Sequence, residues 1–247
     1  MIPTVLIHAF PLSSRMYGPL GAGLGDIGLV LPDLAGFGGT SLSKSDRSVD
    51  AYATQVADEL ERQGVNGLVI GGTSMGGYVA MAFCRLFPER VAGVALIDTK
   101  ATADTEAAAA GRRAMADRLE SENSSAALVE AVLPKLLGAT SFERRTDVVE
   151  LVSEWVKQCD PRAAAWAQRA MAARPDSMDT LRSLSVPALV VVGEEDVLTS
   201  PSDATAMASE LVDCRLVVIP DAGHLTPVEE PDAVAVALTH LAVAVEG

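Results

Sequence analysis

Short apolar runs recur along the chain at 3–8 (PTVLIH), 27–32 (IGLVLP), 67–71 (GLVIG), 91–97 (VAGVALI), 187–193 (PALVVVG) and 214–219 (CRLVVI). Each run is continuous rather than alternating, as parallel strands covered on both faces require. Between most of them apolar positions recur at helical spacing, near 49–63, 75–86, 201–211 and 231–244. The pattern predicts an open parallel α/β sheet with its chemistry at the carboxyl ends of the strands.

One interval breaks the rhythm. Between the runs at 91–97 and 187–193 the chain is Ala-rich, with helical periodicity and no strand, and it carries Trp155 and Trp166. A structureless loop of that length is rare in a compact domain. Breaks at Gly111, Pro134, Gly138 and Asp160-Pro161 divide it into a four-helix insertion over 100–174, followed by a helix near 176–184. The insertion leaves a strand's carboxyl end, so it would stand over the site as a cap. The core is then residues 1–99 and 175–247. Leu133, Leu136, Leu137, Trp155 and Trp166 are the candidates for an apolar, substrate-binding lining on the cap's inner face.

A chain of 247 residues suits one α/β domain with an insertion, and 49% hydrophobic residues fit a well-filled interior. The formal net charge of −14 argues against nucleic acid and anionic membranes as partners and leaves a small-molecule substrate. The opening MIPTVLIHAF has no basic n-region and no long apolar segment, so neither a signal peptide nor a membrane span is expected. Cys84, Cys159 and Cys214 are scattered without metal-ligand spacing and are odd in number, which reads as reduced thiols in a cytoplasmic protein.

The chemistry concentrates around Gly71-Gly72-Thr73-Ser74-Met75-Gly76-Gly77. Glycines there could simply make a strand-to-helix turn and Ser74 cap the helix. The stretch also fits G-x-S-x-G, in which a sharp turn exposes a nucleophilic serine at a helix N-terminus. Three fixed positions in five are a weak signal alone, but the strand before and the helix after are the context the motif needs. A serine hydroxyl requires a base. Of the three histidines, His240 lies on the terminal helix and His8 ends the first strand, whereas His224 sits in a loop after the last strand beside Gly223. His224 is therefore the base. The acid that orients it comes from Glu194, Glu195 and Asp196 after the fifth run, with Asp98 after the fourth in reserve.

These motifs together resemble the α/β-hydrolase family over nearly the whole chain. LIHAFPL is similar to its H-G-x-P oxyanion turn, LPDLAGFGGTS to its D-x-x-G-x-G-x-S loop and GTSMGG to its nucleophile elbow. GEED is similar to its acid turn and AGHLTPVEEP to its terminal G-H loop. The resemblance implies Ser74 as nucleophile, His224 as base and Asp196 as acid, in the family's chain order. It implies the backbone N–H groups of Phe10 and Met75 as oxyanion donors, structural roles for His8 and Asp33, and no metal or organic cofactor. Ala9 stands where the family has glycine, and the chain starts almost at the strand before the oxyanion turn. The implied fold is thus a six-stranded parallel sheet with helices on both faces, lacking the first two family strands, plus a helical cap.

The small cap and the S-M-G-G elbow resemble most the group of 3-oxoadipate enol-lactonase and small carboxylesterases. That implies a serine hydrolase of small esters or lactones working through an acyl-enzyme. Triad-bearing ligand receptors or stress-signalling proteins, which would need a protein partner, and cofactor-free lyases or perhydrolases of the same fold are the alternatives. A lyase acting on an acidic substrate predicts converging basic residues, for which the insertion offers Arg112, Arg113, Arg144, Arg145, Arg162 and Arg169.

Overall fold

The strands are β1 (Thr4–Ile7), β2 (Leu29–Val30), β3 (Leu68–Thr73), β4 (Val91–Ile97), β5 (Ala188–Gly193) and β6 (Cys214–Ile219). In the computed structural model, which describes residues 2–22, 24, 27–42 and 46–247, they form one sheet in the order β2-β1-β3-β4-β5-β6. All five pairings are parallel. Every residue of β1, β3 and β5 is buried, whereas the edge strands β2 and β6 are partly exposed. That burial on both faces is why the inner runs are continuously apolar.

From β1 the chain steps outward to β2, then crosses back to place β3 on the other side of β1. The connections therefore leave β1 and β3 in opposite directions, which opens a crevice at their carboxyl ends. Helices α1 (Val49–Arg62) and α2 (Met75–Leu86) flank β3 in sequence. Ser48 Oγ accepts from the Ala51 N–H at the start of α1, and Val49, Tyr52, Ala53, Val56, Ala57 and Leu60 form its buried stripe. α1 packs on α2, and α2 packs on β1, β3 and β4.

Between β4 and β5 the chain is helical throughout, as its periodicity predicts, but it divides differently. The segments are α3 (Glu106–Glu122), α4 (Ala126–Ala131), α5 (Leu133–Leu136), α6 (Ala139–Arg144), α7 (Thr146–Lys157), α8 (Pro161–Ala172) and α9 (Met178–Ser183). Six of these, α3 to α8, lie within 100–174, where four are expected, and α9 is the helix expected near 176–184. Pro134 and Gly138 isolate α5, and Arg145, with no glycine or proline to mark it, separates α6 from α7. Gly111 is not a break. It lies inside α3, which packs along α8 and ends at Asn123 in the left-handed conformation (φ 47°). A Cβ at Gly111 would meet nothing within 4 Å. Gly111→Ala should therefore raise stability by about 1 kcal/mol, read as a Tm increase of about 2–4 °C in thermal unfolding.

The chain closes with α10 (Pro201–Glu210), α11 (Thr226–Glu229) and α12 (Pro231–Glu246). α10 covers β5 and β6, while α12 covers β4 and β5 beside the 3-10 segment Ser14–Ala22. The second strand is shorter than the run at 27–32 predicts, because it pairs only with β1, through Leu29 and Val30, and Pro32 has no N–H to extend the ladder. Among the described residues no helix is long and apolar enough to cross a membrane.

Candidate active site

Ser74 joins β3 to α2 with φ 55° and ψ −112°, a conformation that a residue with a side chain rarely adopts. Its neighbours fix it there: its N–H donates to Ile97 O at 2.9 Å, and its carbonyl accepts from Thr99 Oγ1 at 2.8 Å and from the Gly77 N–H at 2.9 Å. The glycines around it answer to close backbone approach. A Cβ on Gly76 would lie 1.9 Å from Ile7 O, and one on Gly72 would lie 2.4 Å from the Gly76 carbonyl carbon. Both positions must be bare for the first turn of α2 to sit against β1 and β3.

Three side chains from three loops meet at this bend. His224 Nε2 is 2.7 Å from Ser74 Oγ, and His224 Nδ1 is 2.7 Å from Asp196 Oδ2. Ser74 retains 9% of its exposure, while His224 and Asp196 are buried. Asp196 Oδ1 accepts from the backbone N–H groups of Leu198 and Thr199, and Oδ2 also accepts from Thr199 Oγ1 at 2.6 Å. Burial alone would raise the Asp196 carboxyl; the facing imidazole and the Thr199 hydrogen bonds outweigh it and hold the group below its ordinary value. Phe10 follows β1 and Met75 opens α2, on either side of the sheet's switch point. Among the described residues neither backbone N–H has a hydrogen-bond acceptor. The arrangement can pass a proton from the serine hydroxyl to an imidazole whose other nitrogen is held by a carboxylate.

A cavity of about 290 Å³ opens on Ser74 and His224. Phe10, Tyr78, Leu198 and Thr199 line its floor, and residues of α3, α4, α5 and α8 line its roof, among them Arg112, Leu136 and Met171. Of the five expected lining residues only Leu136 is among those that line this cavity. Trp166 turns away to pack against Tyr52 of α1, with ring centroids 4.4 Å apart and the ring planes tilted by 55°. Trp155 lines a second cavity, of about 480 Å³, with Arg15 5.6 Å from its ring centroid, and neither Ser74 nor His224 reaches that space. Leu137 is buried with its backbone against Gly223, and Leu133 packs on the core from its rim. Helical spacing marks these side chains as inward without saying which inner surface they meet.

A family model described as the alpha/beta hydrolase family matches residues 4–237. The chain belongs to the alpha/beta hydrolase family. The chain is similar to 3-oxoadipate enol-lactonase 2 of Acinetobacter baylyi, with 27% identity over 81% of this chain and 73% of that protein. It is also similar to Lipase 1 of Psychrobacter immobilis, with 25% identity over 94% of this chain and 74% of that one. Among solved structures, a thermophilic esterase from Thermogutta terrifontis, with malate bound, superposes with a TM-score of 0.96 at 36% identity, covering 100% of this chain and 91% of that one.

In this alpha/beta hydrolase the other titratable candidates have different partners. Asp98, wholly buried, accepts from the Thr226 N–H and hydroxyl at 2.8 Å each and from the Gly193 N–H at 3.2 Å. Burial, and then the nearby Asp196 charge, push its carboxyl well above the ordinary value. Glu195 binds Thr140 at the start of α6. His8 accepts from the Leu34 N–H through Nε2, and burial lowers its pKa, so it stays a neutral brace between loops. Asp33 accepts from the Ser14 N–H at 2.7 Å, and His240 pairs with Arg215 on the surface. Two residues have no precursor in the sequence reading. Thr199 touches both Asp196 and His224, and Glu229 accepts from the N–H groups of Gly138, Gly223 and Leu225 and from Ser141 Oγ, tying the His224 loop to α6. A threonine three residues after the acid and a glutamate five after the histidine are the only local signals for them. Among the described residues no group of three or more His, Cys, Asp or Glu side chains is placed to hold a metal ion.

Proposed function

We propose that this alpha/beta hydrolase cleaves a small carboxylic ester or lactone, with Ser74 as nucleophile, His224 as general base and Asp196 as its orienting acid. The supporting observation is the unbroken line from Ser74 Oγ through both nitrogens of His224 to Asp196, with 2.7 Å at each step. The named activities of the relatives, a lactonase, a lipase and an esterase, point to the same bond class. Ser74 Oγ attacks the substrate carbonyl carbon while His224 Nε2 takes its proton. The carbonyl oxygen becomes an oxyanion that the N–H groups of Phe10 and Met75 stabilise. Collapse of the tetrahedral species breaks the ester C–O bond, and the imidazolium returns the proton to the leaving alkoxide. A water then attacks the acyl-enzyme by the same route and releases the acid. Steady release of p-nitrophenol from p-nitrophenyl acetate and butyrate tests the reading; binding of these esters without turnover would overturn it in favour of a ligand receptor.

Residues 100–174 act in this reading as a cap that sets acyl preference. Leu136→Ala should raise kcat/KM for bulky acyl esters relative to short ones by about tenfold, since a methylene in an apolar pocket is worth roughly 1–3 kcal/mol. Trp166→Ala removes a buried ring that packs on Tyr52 and lies outside the cavity. It should lower stability by about 3–5 kcal/mol in urea unfolding and leave the acyl ratio unchanged. Equal shifts of the ratio in both variants would show that the cap does not discriminate by contact.

A further inference from the structure

We infer that the cavity beside Ser74 is built for substrates that carry a free carboxylate in addition to the scissile ester or lactone, with Arg112, Lys100 and Lys135 as the anion subsite. The inference rests on the serine hydrolase reading for its substrate class and on the charged lining for its substance. In a chain with 33 acidic and 19 basic residues, the cavity lining carries three cationic side chains and one carboxylate, Asp104. The cations come from three separate places: Lys100 follows β4, Arg112 lies on α3 and Lys135 on α5. Only the fold brings them together.

The one carboxylate is already occupied. Asp104 Oδ2 receives Arg112 Nε at 2.6 Å, and Oδ1 is 2.8 Å from the buried Arg174, so two guanidinium groups share one negative charge. Arg112 Nη1 is 3.3 Å from Gln168 Oε1 and 3.5 Å from Met171 Sδ. These contacts hold the guanidinium at the cavity wall, with its side chain 26% exposed, while Nη2 has no acceptor among the described residues. The ammonium groups of Lys100 and Lys135 likewise have no hydrogen bond or ion pair among the described residues. Most other arginines of the insertion have partners: Arg113 pairs with Glu106, Arg118 with Glu122 and Glu130, Arg145 with Glu230, Arg162 with Asp160, and Arg169 with Asp117 and Glu120, whereas Arg144 has no ion pair among the described residues and is exposed outside this cavity.

A fixed guanidinium with open N–H groups, in a cavity also lined by two lysines with unpaired ammonium groups, attracts an anion and orients a carboxylate. A neutral ester would have to desolvate these charges with nothing in return. The apolar part of the lining, Ala108, Ala131, Val132, Leu136 and Met171, suits a short hydrocarbon spacer between the two ends of the substrate. At about 290 Å³ the cavity is at the small end for ligand sites, which limits that spacer to a few carbons.

The test uses the full chain and two independent readouts. The first compares kcat/KM for the p-nitrophenyl half-ester of glutaric acid with that for its neutral amide counterpart, p-nitrophenyl glutaramate. A preference of about tenfold or more for the charged ester is expected in low salt, shrinking as ionic strength rises. Arg112→Gln should bring the ratio to near unity, and Lys100→Gln, which has no partner to lose, should lower it about threefold to fivefold. Because each rate is divided by that on the neutral ester, a variant that merely loses stability leaves the ratio unchanged. The second readout is calorimetric binding of glutarate against glutaramide, which needs no turnover. Glutarate should bind about tenfold tighter, and less tightly in Arg112→Gln. Equal kcat/KM and equal affinity in the wild type would overturn the anion subsite alone. Glutarate binding without hydrolysis of either ester would overturn the hydrolase reading and leave the subsite standing.

Discussion

Ser74→Ala is expected to lower kcat on p-nitrophenyl acetate by about 10⁶-fold while the protein stays folded. The nearby hydroxyls are committed elsewhere: Thr73 Oγ1 bonds with Tyr17 Oη, Thr99 Oγ1 donates to the Ser74 carbonyl, and Thr199 Oγ1 donates to Asp196. Ser74 Oγ is the hydroxyl that faces His224 Nε2. Alanine keeps the Cβ, so the strained backbone at φ 55° is no worse served, and the loss is confined to Oγ. A fluorophosphonate should attach once per chain to the wild type and not at all to Ser74→Ala, as read by intact-protein mass spectrometry. Full labelling of the variant would place the nucleophile elsewhere and end the proposal.

What was legible in the sequence follows the range of the forces involved. The glycines around Ser74 report a local steric demand, the approach of α2 to β1 and β3, and a local demand leaves a local pattern. The strands were legible because β1, β3 and β5 are buried on both faces, whereas β2, paired on one side only, is shorter than its apolar run. The cap lining was not legible. Trp166 meets Tyr52, which belongs to α1 of the core, and no spacing within α8 distinguishes that contact from one with substrate. The cationic wall was legible only in part. Arg112 stands among the arginines that the sequence offers to an acidic substrate, but Lys100 and Lys135 lie on other elements, and their place beside it appears only when three elements converge on one cavity. Asp98 was ambiguous as well, since position after a strand marks an acid without saying whether it faces His224 or, as it does, Thr226 and Gly193.

That ambiguity sets the second large effect. Asp196→Asn should lower kcat by about 10⁴-fold, with KM little changed, and Asp98→Asn and Glu195→Gln should each lower it by less than about tenfold. The hydrogen bonds at Asp196 dictate how the amide must sit. Oδ1 accepts two backbone N–H groups, from Leu198 and Thr199, so the asparagine oxygen is held there. The amide nitrogen then replaces Oδ2 and presents its protons to His224 Nδ1, 2.7 Å away. A donor at that point is compatible only with an unprotonated Nδ1, which moves the imidazole proton to Nε2. The ring then donates toward Ser74 Oγ instead of accepting its proton, and the charge that stabilises the imidazolium is gone. Asp98 offers no such lever, because it does not touch His224 and burial already disfavours its ionisation. Glu195 holds Thr140 at the edge of the cap, so its loss bears on the cap's seating rather than on proton transfer. Steady-state kinetics of the three variants on one activated ester separate these roles. If Asp98→Asn were the most damaged, or if Glu195→Gln matched Asp196→Asn, Asp196 would not be the acid.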